Sequence, residues 1–334
     1  MSENWVKVIL DSSHFTAGER ASGEINVSTL AENTKIVFKS EGKEMFTVRY
    51  PNGQAKSVMN EVYSLQEEFS DLSSSQQSVF PFTFKIPQYA PASFHYKDTD
   101  DEGNLLTSEI IYSLEAVLVH NGSALARDTL CFTVFNKLSR VIIPPSVDSI
   151  SQLTSCCCLS RGSSQIIIES LNNLHVHCNE NKKYKIWINS ENNEYLESVI
   201  VQLVFDIRIE LPGEKEKYIR RVINRCVSDL QGVKKEAEDV GKLEFVFDAD
   251  LKMEFGANPS SNQSVFCNSE YKVQIFTIYS IGCRSKRGEF EVFLQVNPLS
   301  IPQKPAEFPE NWNPREKNLK SLLVSAGTNF EKSD

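Results

Sequence analysis

The sequence predicts an all-β protein built as two consecutive antiparallel β-sandwiches, joined by a short hinge and followed by an extended tail. Three observations predict this class. From Val199 to Glu210 the odd positions read Val199, Val201, Leu203, Phe205, Ile207 and Ile209, while Gln202, Asp206, Arg208 and Glu210 hold most of the even ones. That two-residue period belongs to a long strand with one buried face. The same alternation recurs along the whole chain between turn clusters, with almost no helical periodicity. The 334 residues are too many for one sandwich and suit two.

In the first half, strands are expected at 6–10, 24–30, 34–40, 79–86, 110–119 and 129–135. The segment from Val79 is the most explicit: Phe80, Phe82, Phe84 and Ile86 alternate onto one face, and Pro87 stops the strand. Turns fall at Pro51-Asn52-Gly53, at 100–103 and at Asn121-Gly122. The stretch 137–164 breaks the pattern with Pro144-Pro145, a serine-rich run, Cys156-Cys157-Cys158 and Arg161-Gly162. The expected organisation is therefore a sandwich over 1–140, a hinge over 141–163, a second sandwich over 164–298 and a tail over 299–334. In the second half, strands are expected at 165–169, 184–189, 199–210, 217–224, 243–255, 265–279 and 289–296, with Leu211-Pro212-Gly213 as a turn. Residues 227–238 read better as a charged hairpin loop than as a short helix. Pro298, Pro302, Pro305, Pro309 and Pro314 then make the end extended.

Composition narrows the function classes. Hydrophobic residues at 40% and charged residues at 24% place the chain among globular proteins, and 20 phenylalanines against 3 tryptophans lean toward sheet. A net charge of −9 argues against a general nucleic-acid or anionic-membrane coat. The start shows no secretory pattern, and no apolar run approaches the roughly 18 residues of a membrane span. A cytoplasmic location is expected, with the 8 cysteines mostly as thiols and the Asn26, Asn121 and Asn262 sequons coincidental.

Chemistry-bearing motifs are few. Cys156, Cys157 and Cys158, with His175, His177 and Cys178 nearby, are weak metal candidates, because consecutive strand residues point to opposite faces. S-acylation there is an alternative, and ordinary buried thiols are the commoner outcome. His14, His95, His120, His175 and His177 are scattered, and none sits in a hydrolase, zinc-protease or phosphate-loop motif. No catalytic residue, cofactor or firm metal site is expected. Lys215, Lys217, Arg220 and Arg221, with Arg225, Lys234 and Lys235, form a candidate anion-binding run. Alternation puts Lys217 and Arg221 on one face and Arg220 on the other, so a solvated hairpin face is the commoner reading.

Val79-Phe80-Pro81-Phe82-Thr83-Phe84-Lys85-Ile86-Pro87, then Pro91-Ala92-Ser93-Phe94, an acidic loop, and Ile111-Tyr112-Ser113-Leu114-Glu115-Ala116 stand in this order. The series resembles the N-terminal domain of arrestins. Ala17-Gly18-Glu19 with Gly23-Glu24-Ile25-Asn26-Val27 is similar to the early turn and strand of that family. The cysteine cluster with the strand from Gln165, and the segments from Asn268 and Glu289, resemble the C-terminal domain of the arrestin-domain-containing (α-arrestin) branch. The resemblance spans residues 5–298 and implies two immunoglobulin-like sandwiches, the arrestin fold. It also implies a non-catalytic cytosolic adaptor that binds cytoplasmic tails of membrane receptors or transporters and links them to trafficking or endocytic proteins. Recruitment to plasma membrane or endosomes, by peripheral association, follows from such a role. Lys7 resembles the basic position that arrestins place near phosphopeptides, and a solitary lysine on an edge strand is equally explained as protection against aggregation.

The chain departs from the family at several points. Pro144-Pro145 is followed by Ser146-Val147, so the Pro-Pro-x-Tyr motif that docks WW-domain ubiquitin ligases is absent. Ser22 stands where visual and β-arrestins carry an aspartate of their ionic core, and Leu322-Leu323 lacks the acid of a clathrin-type box. Two rival readings stand beside it: a retromer-type coat subunit in endosomal sorting, which shares the two-sandwich architecture, and an enzyme on a β scaffold.

Overall fold

The computed structural model describes residues 4–28, 33–69, 79–136, 146–154, 160–170, 176–177, 181–190, 196–229, 242–250, 260–281, 284–299 and 322–323. These residues form strands and no helix, so no helix among them is long and apolar enough to cross a membrane. The chain folds as two compact units. Unit 1 holds Met1–Lys137, Ser264–Phe266 and Pro298–Asp334, and unit 2 holds Leu138–Gln263 and Cys267–Asn297.

Unit 1 contains β1 (Val6–Leu10), β2 (His14–Thr16), β3 (Arg20–Val27), β4 (Thr34–Arg49), β5 (Ala55–Phe69), β6 (Val79–Lys85), β7 (Phe94–Thr99), β8 (Leu105–His120) and β9 (Ser123–Phe135). Unit 2 contains β10 (Ser146–Thr154), β11 (Ser160–Ser170), β12 (Val176–His177), β13 (Asn181–Ser190), β14 (Leu196–Ile209), β15 (Lys217–Asp229), β16 (Lys242–Asp250), β17 (Asn262–Gln263), β18 (Cys267–Ile281), β19 (Arg284–Leu294) and β20 (Val296–Asn297). A last two-residue strand, β21 (Leu322–Leu323), returns to unit 1.

The sheets of unit 1 run β1-β3-β6-β21 and β2-β9-β8-β4-β5, with β7 also paired to β8. Local chemistry sets the hairpins. Asn121 and Gly122, both at positive φ (47° and 82°), are the two residues between β8 and β9, the conformation a tight type I′ connection demands. The two sheets face each other across an aromatic core. Phe38 of β4 lies 4.8 Å from Phe82 and 6.1 Å from Phe84 of β6, and Phe84 lies 6.1 Å from Phe132 of β9. All four rings are buried, each worth about 1.5–3 kcal/mol in removal from water.

Gly42 shows how tightly this core closes. It sits at an irregularity of the β4–β5 ladder, beneath the stacked rings of Tyr63 and Tyr112, whose centroids are 6.0 Å apart. Both rings are tethered at their far ends: the Tyr112 hydroxyl donates to the Pro91 carbonyl at 2.5 Å, and the Tyr63 hydroxyl shares a 2.9 Å hydrogen bond with Ser40 Oγ. A methyl at position 42 would lie 2.6 Å from Tyr112 Cε1. Gly42→Ala is therefore expected to destabilise the protein by about 1–3 kcal/mol, the usual cost of overpacking. A urea midpoint unchanged from the parent would refute the tethered-ring account.

Unit 2 carries a sheet β10-β11-β13-β16, a sheet β15-β14-β18-β17 with β19 on β18, and the short parallel pair β12-β20. β14 buries Val199, Val201, Leu203, Phe205, Ile207 and Ile209 as its alternation predicts, and β18 adds Tyr271, Val273 and Ile275. β2, β5 and β7 of unit 1 were not among the expected strands, and beyond residue 136 three further features differ from the sequence reading. β10 lies inside the expected hinge, pairing with β11 from Ser146↔Glu169 to Thr154↔Ser160. Its serines and glutamine suppress the apolar alternation by which a strand is recognised. β15 continues as strand to Asp229, into the stretch read as a loop. Leu322 and Leu323, in the expected tail, pair in parallel with Phe82 and Thr83.

Candidate functional site

An extended partner segment needs an open strand edge, because only an edge presents unpaired N–H and C=O groups. The edges of unit 1 differ in this respect. At the β1 edge, Asp128 of β9 accepts the Val8 N–H at 2.9 Å and pairs with Lys7 Nζ at 3.6 Å. One outward donor is thus already capped, and the basic residue singled out from the sequence has its charge set against a carboxylate. The β6 edge carries β21. The larger sheet has three further edge strands, the three-residue β2 on β9, the six-residue β7 on β8 and the fifteen-residue β5, which among the described residues pairs only with β4, from Ile36↔Phe69 to Arg49↔Ala55. Most of its side chains are exposed or half-buried, Tyr63 being buried and Met59 63% exposed.

Next to this edge strand, Glu44 of β4 is fully buried. Its carboxylate accepts hydrogen bonds within unit 1 from Ser264 Oγ at 2.6 Å and from the backbone N–H groups of Phe266 at 2.8 Å and Val265 at 3.2 Å. A buried charge needs such donors to offset its lost hydration.

In unit 2 the basic run resolves into separate environments. Lys215 is exposed in the turn between β14 and β15. Lys217 and Arg221 are register partners of Ile209 and Phe205, the core-facing set of β14, whereas Arg220 partners Asp206 on the outer face. The structure brings Arg220 to Asp206, not to the other cations. Its Nε and Nη2 donate to the two Asp206 oxygens at 2.7 and 2.8 Å, its Nη2 also reaches the Tyr218 hydroxyl at 2.8 Å, and Lys272 Nζ lies 3.2 Å from Asp206 Oδ2. Burial by itself raises the Asp206 carboxyl; the hydrogen bonds from Arg220, Tyr218 and Lys272 and the Arg220 charge outweigh it and hold the group below the ordinary aspartate range. Around this cluster the outer face is apolar, with Tyr218, Val222 and Phe293 each more than half exposed and Lys272 Nζ 5.0 Å from the Phe293 ring centre.

Asp206, Lys272, Glu44 and Asp128 were not singled out from the sequence: Asp206 and Lys272 fall within expected strands, Glu44 and Asp128 just outside them. A signal existed for Asp206 alone: Val204, an apolar residue on its face, interrupts the polar series Gln202, Asp206, Arg208. Cys156, Cys157 and Cys158 lie outside the described residues, as do Lys234 and Lys235. Among the described residues, no three His, Cys, Asp or Glu side chains are grouped to hold a metal ion. His14 stacks on Phe135 at 4.9 Å, His95 meets Glu109 at 3.2 Å, and His120 contacts Thr34 and Asn121. Comparison of the sequence with models of protein families and with curated proteins finds no match.

Proposed function

We propose that the chain is a non-catalytic adaptor of arrestin-like architecture. In this reading it captures extended cytoplasmic segments of membrane receptors or transporters by adding them as a strand, and it links them to trafficking or endocytic proteins. The observation that supports it best is the contrast between strand edges in unit 1. The β1 edge is capped by Asp128 and the β6 edge carries β21; of the strands with one neighbour among the described residues, β2 and β7 span three and six residues and β5 spans fifteen. A long open edge is an aggregation hazard that folds usually cover or charge, so one lying beside a well-packed core suits a docking strand.

The test is proximity labelling in the native cell, with the chain truncated from Ile301 as a paired control. The expected result is recovery of membrane receptors or transporters together with trafficking proteins by the full chain. Recovery of one fixed coat complex, unaffected by truncation, would replace the adaptor by a coat-subunit function.

A further inference from the structure

We infer that the outer face of the larger sheet of unit 1 carries a site for a phosphate monoester, built on Arg49 and Lys97. A cavity of about 220 Å³ opens there, lined by Thr47, Arg49, His95, Lys97, Leu105, Thr107 and Glu109. The strand register explains why these side chains share one face. Lys97, Thr107 and Thr47 form a row across β7, β8 and β4. Leu105 and Arg49 lie in the row on one side of it, and His95 and Glu109 in the row on the other. Rows on one face of a sheet are neighbours, and long side chains reach across the diagonal.

The charges in this cavity are unequally committed. Glu109 is engaged by His95, Nε2 to Oε1 at 3.2 Å, and Thr47 Oγ1 by Ser57 Oγ at 2.9 Å. No carboxylate pairs with Arg49 or Lys97 among the described residues, although the chain as a whole is acidic, with a net charge of −9. Arg49 on β4 and Lys97 on β7 flank β8, and a dianion held between them draws on both charges where a single carboxylate carries half the countercharge. A tetrahedral phosphate also matches the donors: the Arg49 fork takes two oxygens, the Lys97 ammonium a third, and the Thr107 hydroxyl is placed between them in the register. Leu105 offers an apolar contact for the carbon of an ester, which inorganic phosphate lacks. Because the overall field of the protein repels anions, binding must come from these local contacts rather than from steering. This site is separate from the β5 edge and does not depend on the adaptor reading.

The test is isothermal titration of the full-length protein with glycerol 3-phosphate and with inorganic phosphate, plus flotation with vesicles of phosphatidylcholine containing phosphatidic acid. Binding of at least one probe is expected. Arg49→Ala and Lys97→Ala should each weaken it about tenfold, the loss of one charge-assisted contact. Binding to the vesicles alone, lost in both variants, places the phosphate on a lipid; binding to the soluble ester, lost in both, places it on a small metabolite. Both cations are exposed, so the variants are expected to melt with the parent. Absence of binding by all three probes, or affinities unchanged in the two variants, would overturn the assignment.

Discussion

Replacing Phe84 with alanine is expected to lower the unfolding free energy by about 3–5 kcal/mol, the range for deleting a buried aromatic ring. Phe84 is 2% exposed and stands between the two sheets of unit 1, with Phe38, Phe82 and Phe132 at 6.1, 6.3 and 6.1 Å. Those neighbours come from β4, β6 and β9, so truncation removes contacts to both sheets at once. The void cannot collapse easily, because Phe132 is held on its other side by Tyr112 at 5.8 Å and Phe15 at 5.9 Å. Met59→Ala in the same unit is the control: its side chain is 63% exposed, and the change should stay within about 0.5 kcal/mol. Urea unfolding of the two variants beside the parent measures both. A Phe84→Ala loss below about 1 kcal/mol would mean that the sheets are not held together through this ring.

The strands that the sequence made plain are the ones with one wet and one dry face. β6 and β14 fall where the alternation of Phe80, Phe82, Phe84 and of Val199 to Ile209 put them, and β4 and β8 extend beyond their expected ends by continuing the same period. β5 is illegible for the opposite reason. As an edge strand it buries only Tyr63, so Ala55 to Phe69 shows no apolar period to read. β10 is hidden in the same way by its serines. The candidate surfaces are harder still, because they depend on pairing between distant strands. Asp128 reaches Val8 across 120 residues, and the Arg49–Lys97 cavity assembles from three strands. Charge runs in sequence point to Lys215, Lys217, Arg220 and Arg221. The period of a strand necessarily separates such neighbours onto opposite faces, which is how Arg220 comes to serve Asp206 instead.

Asp206→Ala is expected to cost about 2–3 kcal/mol at neutral pH, and the cost should disappear in acid. The carboxylate is 2% exposed yet accepts both Arg220 bonds and faces Lys272, a geometry in which charge-assisted hydrogen bonds contribute about 1.5–3 kcal/mol each. The value is discounted because the Arg220 side chain is 43% exposed and regains water when released, while Lys272 keeps Glu270 at 2.6 Å. The folded-state carboxyl is held below its ordinary value, so it titrates below the unfolded chain's, near about 3.9. Its stabilisation is complete above that unfolded value and is lost as pH falls through the lower folded one. Parent and variant should therefore differ most at pH 7, and the gap should narrow below about pH 4. A double-mutant cycle with Arg220→Ala separates the pair from its surroundings, with an expected coupling of about 1–2 kcal/mol at pH 7. A gap that stays constant from neutral to acid pH, or a coupling near zero, would mean that the buried carboxylate is tolerated by this face rather than holding β14 to β15 and β18.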